Sequence, residues 1–222
     1  MTRAAAPDIH GLEHALAGHG LIVLGIFEPV PGDGLDAARA VLVGNAGPAM
    51  WRAFAASTEA ADGAPHPMDR WTRRILKGVG GNFGCGTKFP FDGPPYLPVL
   101  RWLERCAPAG ASPLGPYVHR DYGPWFALRG VLLSAGAGLP VTAAGGGPCP
   151  TCTDKPCLDA CPAGAITRDA PYEPQRCRQW LHAHPAGDCT GGGCLVRHAC
   201  PYGRGFAPEP AQAAFHMRAF AR

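Results

Sequence analysis

Eight of the ten cysteines lie between Cys149 and Pro201. The stretch reads C-P-T-C-T-D-K-P-C-L-D-A-C-P-A-G-A-I from Cys149, then Cys177 alone, then C-T-G-G-G-C-L-V-R-H-A-C-P-Y-G from Cys189. Cys149, Cys152, Cys157 and Cys161 are separated by two, four and three residues, and Cys161 and Cys200 each precede a proline. Thiolate is the soft donor that iron–sulfur clusters and structural zinc both use, and eight thiolates make two sets of four. The chemistry expected is therefore binding of two [4Fe-4S] clusters and one-electron transfer through them.

The ligand order follows the grammar of bacterial two-cluster ferredoxins, where the cysteine before the proline serves the other cluster. The middle gap is four residues rather than two because Asp154–Pro156 widen the loop. The expected division is Cys149, Cys152, Cys157 and Cys200 for cluster 1, and Cys161, Cys177, Cys189 and Cys194 for cluster 2. Glycines at 164 and 191–193 let backbone N–H groups turn toward sulfur. Two four-thiolate zinc sites are the alternative, but the C-x3-C-P-x-G-A-I run is a cluster spacing rather than a zinc-knuckle spacing. Disulfides need an oxidising compartment, and the opening M-T-R-A-A-A-P-D has no apolar leader that would point to one.

Something must hold these thiols in place, and the rest of the chain has the composition to do it. Apolar residues make up 46%, enough for a core, while 31 glycines and 25 prolines predict many turns. The formal charge of +3 is weak and carries no Lys/Arg block, which argues against a nucleic-acid partner. No apolar run reaches membrane-span length, so a cytoplasmic protein is expected. Periodicity predicts a helix over residues 8–18, strands over 21–27 and 38–43, and helices from Pro48, from about Pro67 and over 96–106. Met68, Trp71, Ile75 and Val79 form the apolar stripe of the second of these helices. Arg70, Arg73, Arg74 and Lys77 face away from it, as a solvated face or the wall of an anion site. A turn at 121–124 feeds a strand over 125–133, residues 139–148 form a linker, and a last helix covers 209–222. The glycine-rich segment 78–86 lacks a phosphate-loop pattern. Cys85 and Cys106 have no local histidine partner and read as buried bystanders. The expected fold class is α+β. An α/β sheet domain over 1–140 precedes a loop-rich cluster domain over 141–208 and a helix over 209–222 that packs back.

Two resemblances extend this reading. The cysteine half resembles the ferredoxin-like domain of epoxyqueuosine reductases and reductive dehalogenases, which also place a lone cysteine, here Cys177 in R-C-R-Q-W-L, between the two motifs. The gaps Cys189–Cys194 and Cys194–Cys200 are wider than in that pattern. The glycine-rich G-x-G-W-x-G-K segment and acidic proton donor of the epoxyqueuosine reductases are absent, and the chain is short for a dehalogenase. The N-terminal half resembles the cobalamin-processing CblC family, whose fold derives from flavin nitroreductases. The family pattern H-P-x-aromatic-G-x-W-F-A-aliphatic-R-G matches His119, Tyr122, Gly123, Trp125, Phe126, Ala127, Leu128, Arg129 and Gly130, with Arg120 in place of proline.

The second resemblance implies a corrinoid (cobalamin) cofactor, with His119, Tyr122, Gly123, Trp125, Phe126 and Arg129 at its site. Arg129 matches an arginine that holds ligand carboxylates. Core packing for Trp125 and Phe126, a loop cap for His119 and a strand-end ion pair for Arg129 are the structural alternatives. The function implied is cobalamin reduction or reductive removal of its upper ligand, an oxidoreductase activity fed by an electron-donor protein such as a reductase or flavodoxin. A homodimer is also implied. A plain ferredoxin whose first domain docks a redox partner, and a flavin-dependent reductase, are the competing functions.

Overall fold

The computed structural model describes residues 8–170 and 172–222; the opening residues, on which the expectation about a leader rests, lie outside these. Helix α1 (Ile9–Ala17) starts at Asp8, whose carboxylate accepts the N–H groups of His10 and Gly11 and so caps the first turn. Its Leu12 and Leu16 are fully buried. The two apolar runs form β1 (Ile22–Phe27) and β2 (Arg39–Ala46). Residues 40–45 of β2 are buried on both faces, which is why the run is continuously apolar rather than alternating.

Three helices follow: α2 (Ala49–Ala55), α3 (Thr58–Ala61) and α4 (Pro67–Asn82). Proline at the first position of α4 costs no hydrogen bond, since that N–H has no helical acceptor. Met68, Trp71, Ile75 and Val79 are buried as the helical spacing predicts, and Phe54 meets the Trp71 ring edge-on at 6.1 Å. The opposite face is not simply solvated. Arg70 pairs with Asp62, Arg73 with Asp92, and Arg74 grips Glu59 with Nε–Oε1 at 2.6 Å and Nη2–Oε2 at 2.9 Å. Three of the four cations thus have their own carboxylates, brought from residues distant in sequence.

Strand β3 (Gly86–Lys88) lies at the end of the glycine-rich segment, and α5 (Val99–Cys106) follows. Then come the short β4 (Ala109–Gly110) and β5 (Val118–His119), and β6 (Phe126–Ser134). The main sheet has the order β1-β2-β6-β3, with β1/β2 and β3/β6 antiparallel; β4 and β5 pair separately. Strand β3 carries no β-branched run of its own. Its order comes from the edge pairing of Gly86, Thr87 and Lys88 with Leu133, Leu132 and Val131. Cys85 and Cys106 are buried in this part, and burial pushes the Cys106 thiol up to about 12, as inert core thiols behave.

The cysteine-rich half contributes α6 (Pro174–Ala183), α7 (Asp188–Gly192), α8 (Leu195–His198) and α9 (Pro210–Ala221), joined by turns. Helix α9 packs on α7 and α6. Among the described residues no helix is long and apolar enough to cross a membrane. The chain divides into two compact units. One comprises the described residues up to Pro108 with Ala127–Gly145; the other comprises Ala109–Phe126 with Gly146–Arg222. The division differs from a single boundary at 140/141, because residues 109–126 leave the sheet and join the cysteine-rich unit before β6 returns. Hydrophobic patterning does not reveal such an excursion, since both units are apolar inside.

Candidate functional site

The cysteine-rich unit is built around a small core of Leu114, Val118, Cys157, Ile166, Val196 and Cys200. Cys149, Cys161, Cys194, Tyr172 and Tyr202 pack against it half-buried. Five cysteines thus form part of the hydrophobic interior, where thiols that merely filled space would also sit. Their grouping is more informative than their burial.

Burial, and then the thiols of Cys200, Cys157 and Cys152, push Cys149 up to about 11. Burial, and then Cys194, Cys161 and Cys189, push Cys177 up to about 11. Cys157 is raised by burial, then by Cys200 and Cys152; Cys200 is raised by burial and, among the thiols, by Cys152. Cys189 is raised by burial and by Cys194 and Cys161, against the pull of a hydrogen bond from the Leu195 N–H. These mutual influences link Cys149, Cys152, Cys157 and Cys200 with one another, and Cys161, Cys177, Cys189 and Cys194 with one another. Each quartet crowds thiols that resist ionising beside one another.

The local backbone explains how eight residues far apart in sequence converge. Cys149 starts one tight turn, and Cys157 sits in a second, over Pro156–Leu158, that packs against α8. The widened loop before it turns on Lys155, which takes a left-handed conformation at φ 43°. Arg168 straps this loop, with Nη2 donating to the Asp154 carbonyl at 3.0 Å and the guanidinium paired to Asp159. Gly164, at φ 61°, turns the following N–H so that Ala165 donates to Cys161 Sγ at 3.3 Å. Cys177 lies on α6, Cys189 on α7, and Cys194 immediately before α8. The Ala165 N–H aimed at the Cys161 sulfur suits an anionic thiolate, and hydrogen bonds of this kind tune iron–sulfur ligands. Among the described residues no three or more His, Cys, Asp or Glu side chains are arranged to hold a single metal ion.

The corrinoid candidates fall in two places. His119, Tyr122, Gly123, Trp125 and Phe126 belong to the cysteine-rich unit, and Arg129 belongs to the sheet unit. His119 and Gly123 exchange backbone hydrogen bonds at 2.9 Å, closing a tight turn. His119 is buried, and its Nδ1 accepts the N–H groups of Asp121 at 3.1 Å and Tyr122 at 3.4 Å. Burial lowers its pKa against the opposing influence of Asp121, so the ring is neutral and its Nδ1 lone pair is engaged in capping. Its ring stacks on Tyr122 at 4.4 Å and meets the edge of Phe126 at 5.6 Å. Tyr122 meets Phe206 edge-on, and Trp125 lies 4.8 Å from His198.

The turn is fastened to the cysteine motif by two glycines. A Cβ on Gly123 would lie 2.1 Å from the Tyr202 carbonyl oxygen, and one on Gly203 would lie 2.2 Å from Tyr122 carbonyl atoms. Both have positive φ, 59° and 67°. The sequence singled out Gly123, but nothing in it signalled Gly203 as its counterpart beside Cys200.

Arg129 is held differently. Its Nε donates to Asn45 Oδ1 at 2.7 Å, Asn45 is buried, and desolvation lowers the guanidinium pKa to about 10 despite Asp69. The strand-end ion pair is replaced by a neutral amide partner. Asn45 carries no signal of its own in the sequence, lying two residues beyond the strand expected over 38–43 and inside the longer β2.

No family model and no curated protein matches the sequence. Among solved structures, the crystal structure of a B12-trafficking protein CblC from C. elegans, a human MMACHC homologue, is similar at a TM-score of 0.46 and 12% identity. The alignment covers 95% of this chain and 96% of that chain. A likeness at that level decides neither fold nor function, so the functional reading rests on the residues themselves.

Proposed function

We propose that this chain is an iron–sulfur redox protein that relays electrons through two [4Fe-4S] clusters to a corrinoid held by the N-terminal part of the chain expected over 1–140. The outcome would be cobalamin reduction or reductive removal of the upper ligand. What supports the electron-transfer part is that these thiols raise one another's pKa in two groups, five of them lying in or against one small core. Cys149, Cys152, Cys157 and Cys200 would hold one cluster, and Cys161, Cys177, Cys189 and Cys194 the other. The donor set fits: eight sulfur donors, two of them followed by proline, and an N–H directed at the Cys161 sulfur. Each bound cluster would supply a one-electron centre, while the protein sets its burial and hydrogen bonding.

The corrinoid part rests on the His119–Gly130 motif and on Arg129, a desolvated guanidinium bonded to a neutral amide and suited to an anionic or amide-bearing ligand. His119 is assigned to holding the turn rather than to cobalt, since its Nδ1 is already committed. The test is titration of the anaerobically reconstituted protein with hydroxocobalamin under reductant, followed by visible spectroscopy. A stoichiometric, protein-dependent change of the corrinoid bands is expected. Two intact clusters with no corrinoid response would leave a ferredoxin-type carrier, and a flavin spectrum on purification would favour a flavin-dependent reductase.

A further inference from the structure

Helices α6, α7 and α9 enclose an open groove of about 280 Å³. Its apolar part includes Leu181 and Met217, and its rim includes His182, Thr190, Arg218 and Arg222. His182, Arg218 and Arg222 are exposed. The groove touches the second quartet through covalent neighbours: Leu181 is one helical turn beyond Cys177 on α6, and Thr190 follows Cys189 on α7. Arg178, also on α6, donates from Nε to the Phe220 carbonyl at 3.1 Å, and its guanidinium lies over the Phe220 ring at 4.9 Å. This latch fixes the end of α9 and with it the two rim arginines. The residues lining the groove include two arginines and no carboxylate side chain.

Resting on the cluster reading above, we propose that this face is the docking surface for a small acidic protein that delivers single electrons to the Cys161, Cys177, Cys189 and Cys194 cluster. A cationic rim around a small apolar floor complements an acidic partner. Charge of this kind governs encounter rate and orientation more than final affinity, as a transient redox contact requires. In the transfer the partner is oxidised by one electron and the cluster is reduced by one, with no proton or group exchanged.

The test uses the reconstituted full chain and a reduced acidic [2Fe-2S] ferredoxin as probe. Binding is followed by NMR titration of the ferredoxin, and reduction by stopped-flow. Arg218→Glu is compared with Arg101→Glu, which makes the same charge change on an exposed residue of α5 in the other unit. Expected are a roughly tenfold fall in both affinity and second-order rate for Arg218→Glu, little change for Arg101→Glu, and weakening with added salt. Equal effects of the two variants, or salt-independent binding, would overturn the docking surface while leaving the clusters in place. Loss of self-association in Arg218→Glu on sedimentation, with ferredoxin binding intact, would assign the groove to a second copy and overturn the proposal. Failure of the unmodified chain to incorporate iron and sulfide would overturn the cluster reading and the docking proposal with it.

Discussion

At the scale of single residues, the cysteines are under electrostatic tension. Four thiols share each quartet, and burial and mutual proximity raise Cys149 and Cys177 to about 11. Iron would relieve that tension by replacing protons with positive charge, which couples metal binding to folding. Cys157 is a ligand candidate and part of the apolar core at once. Substituting Cys157→Ser should therefore lower iron content from about eight to about four atoms per chain and also lower stability. Iron and sulfide assays with thermal melting check both effects. His119 makes a separate prediction. Burial lowers its pKa from 6.5, so its contribution to stability is complete above pH 6.5 and is lost as pH falls through the lower folded value. The melting temperature should fall as pH drops from about 6.5 toward about 5, and the slope should flatten in His119→Gln.

At the scale of elements, the decisive feature is the crossing of backbone at 122–123 and 202–203. A side chain at Gly123 must displace the Tyr202 carbonyl, which directly follows the Cys200–Pro201 pair. Gly123→Ala should cost several kcal/mol, on the order of the largest single-residue effects, and should lose the cluster ligated by Cys200 before the other. Electron paramagnetic resonance of the reduced variant, counting spins per chain, reads this directly. The longer elements were legible in the sequence because their patterns are local. The Met68–Val79 stripe gave α4, and the apolar runs gave β1 and β2. Long-range pairing was not legible. Strand β3 exists through its register with β6, and the arginines of α4 find Asp62, Asp92 and Glu59 only once the helices are packed. The excursion of residues 109–126 into the second unit left no composition signal, so the turn bearing His119 was read as part of the sheet domain.

At the scale of the whole molecule, the described residues form two compact units. The sheet unit offers Arg129 on Asn45, and the cysteine-rich unit holds the eight clustered cysteines with the His119–Phe126 turn built into it. The central claim concerns those quartets, and zinc is its direct chemical competitor. The most direct measurement is iron, sulfide and zinc quantitation on protein reconstituted anaerobically with all three available, paired with Mössbauer spectroscopy. The account predicts about eight irons and about eight sulfides per chain with the spectrum of two cubane clusters. About two zinc ions per chain without sulfide would contradict it and turn the cysteine-rich unit into a structural zinc module.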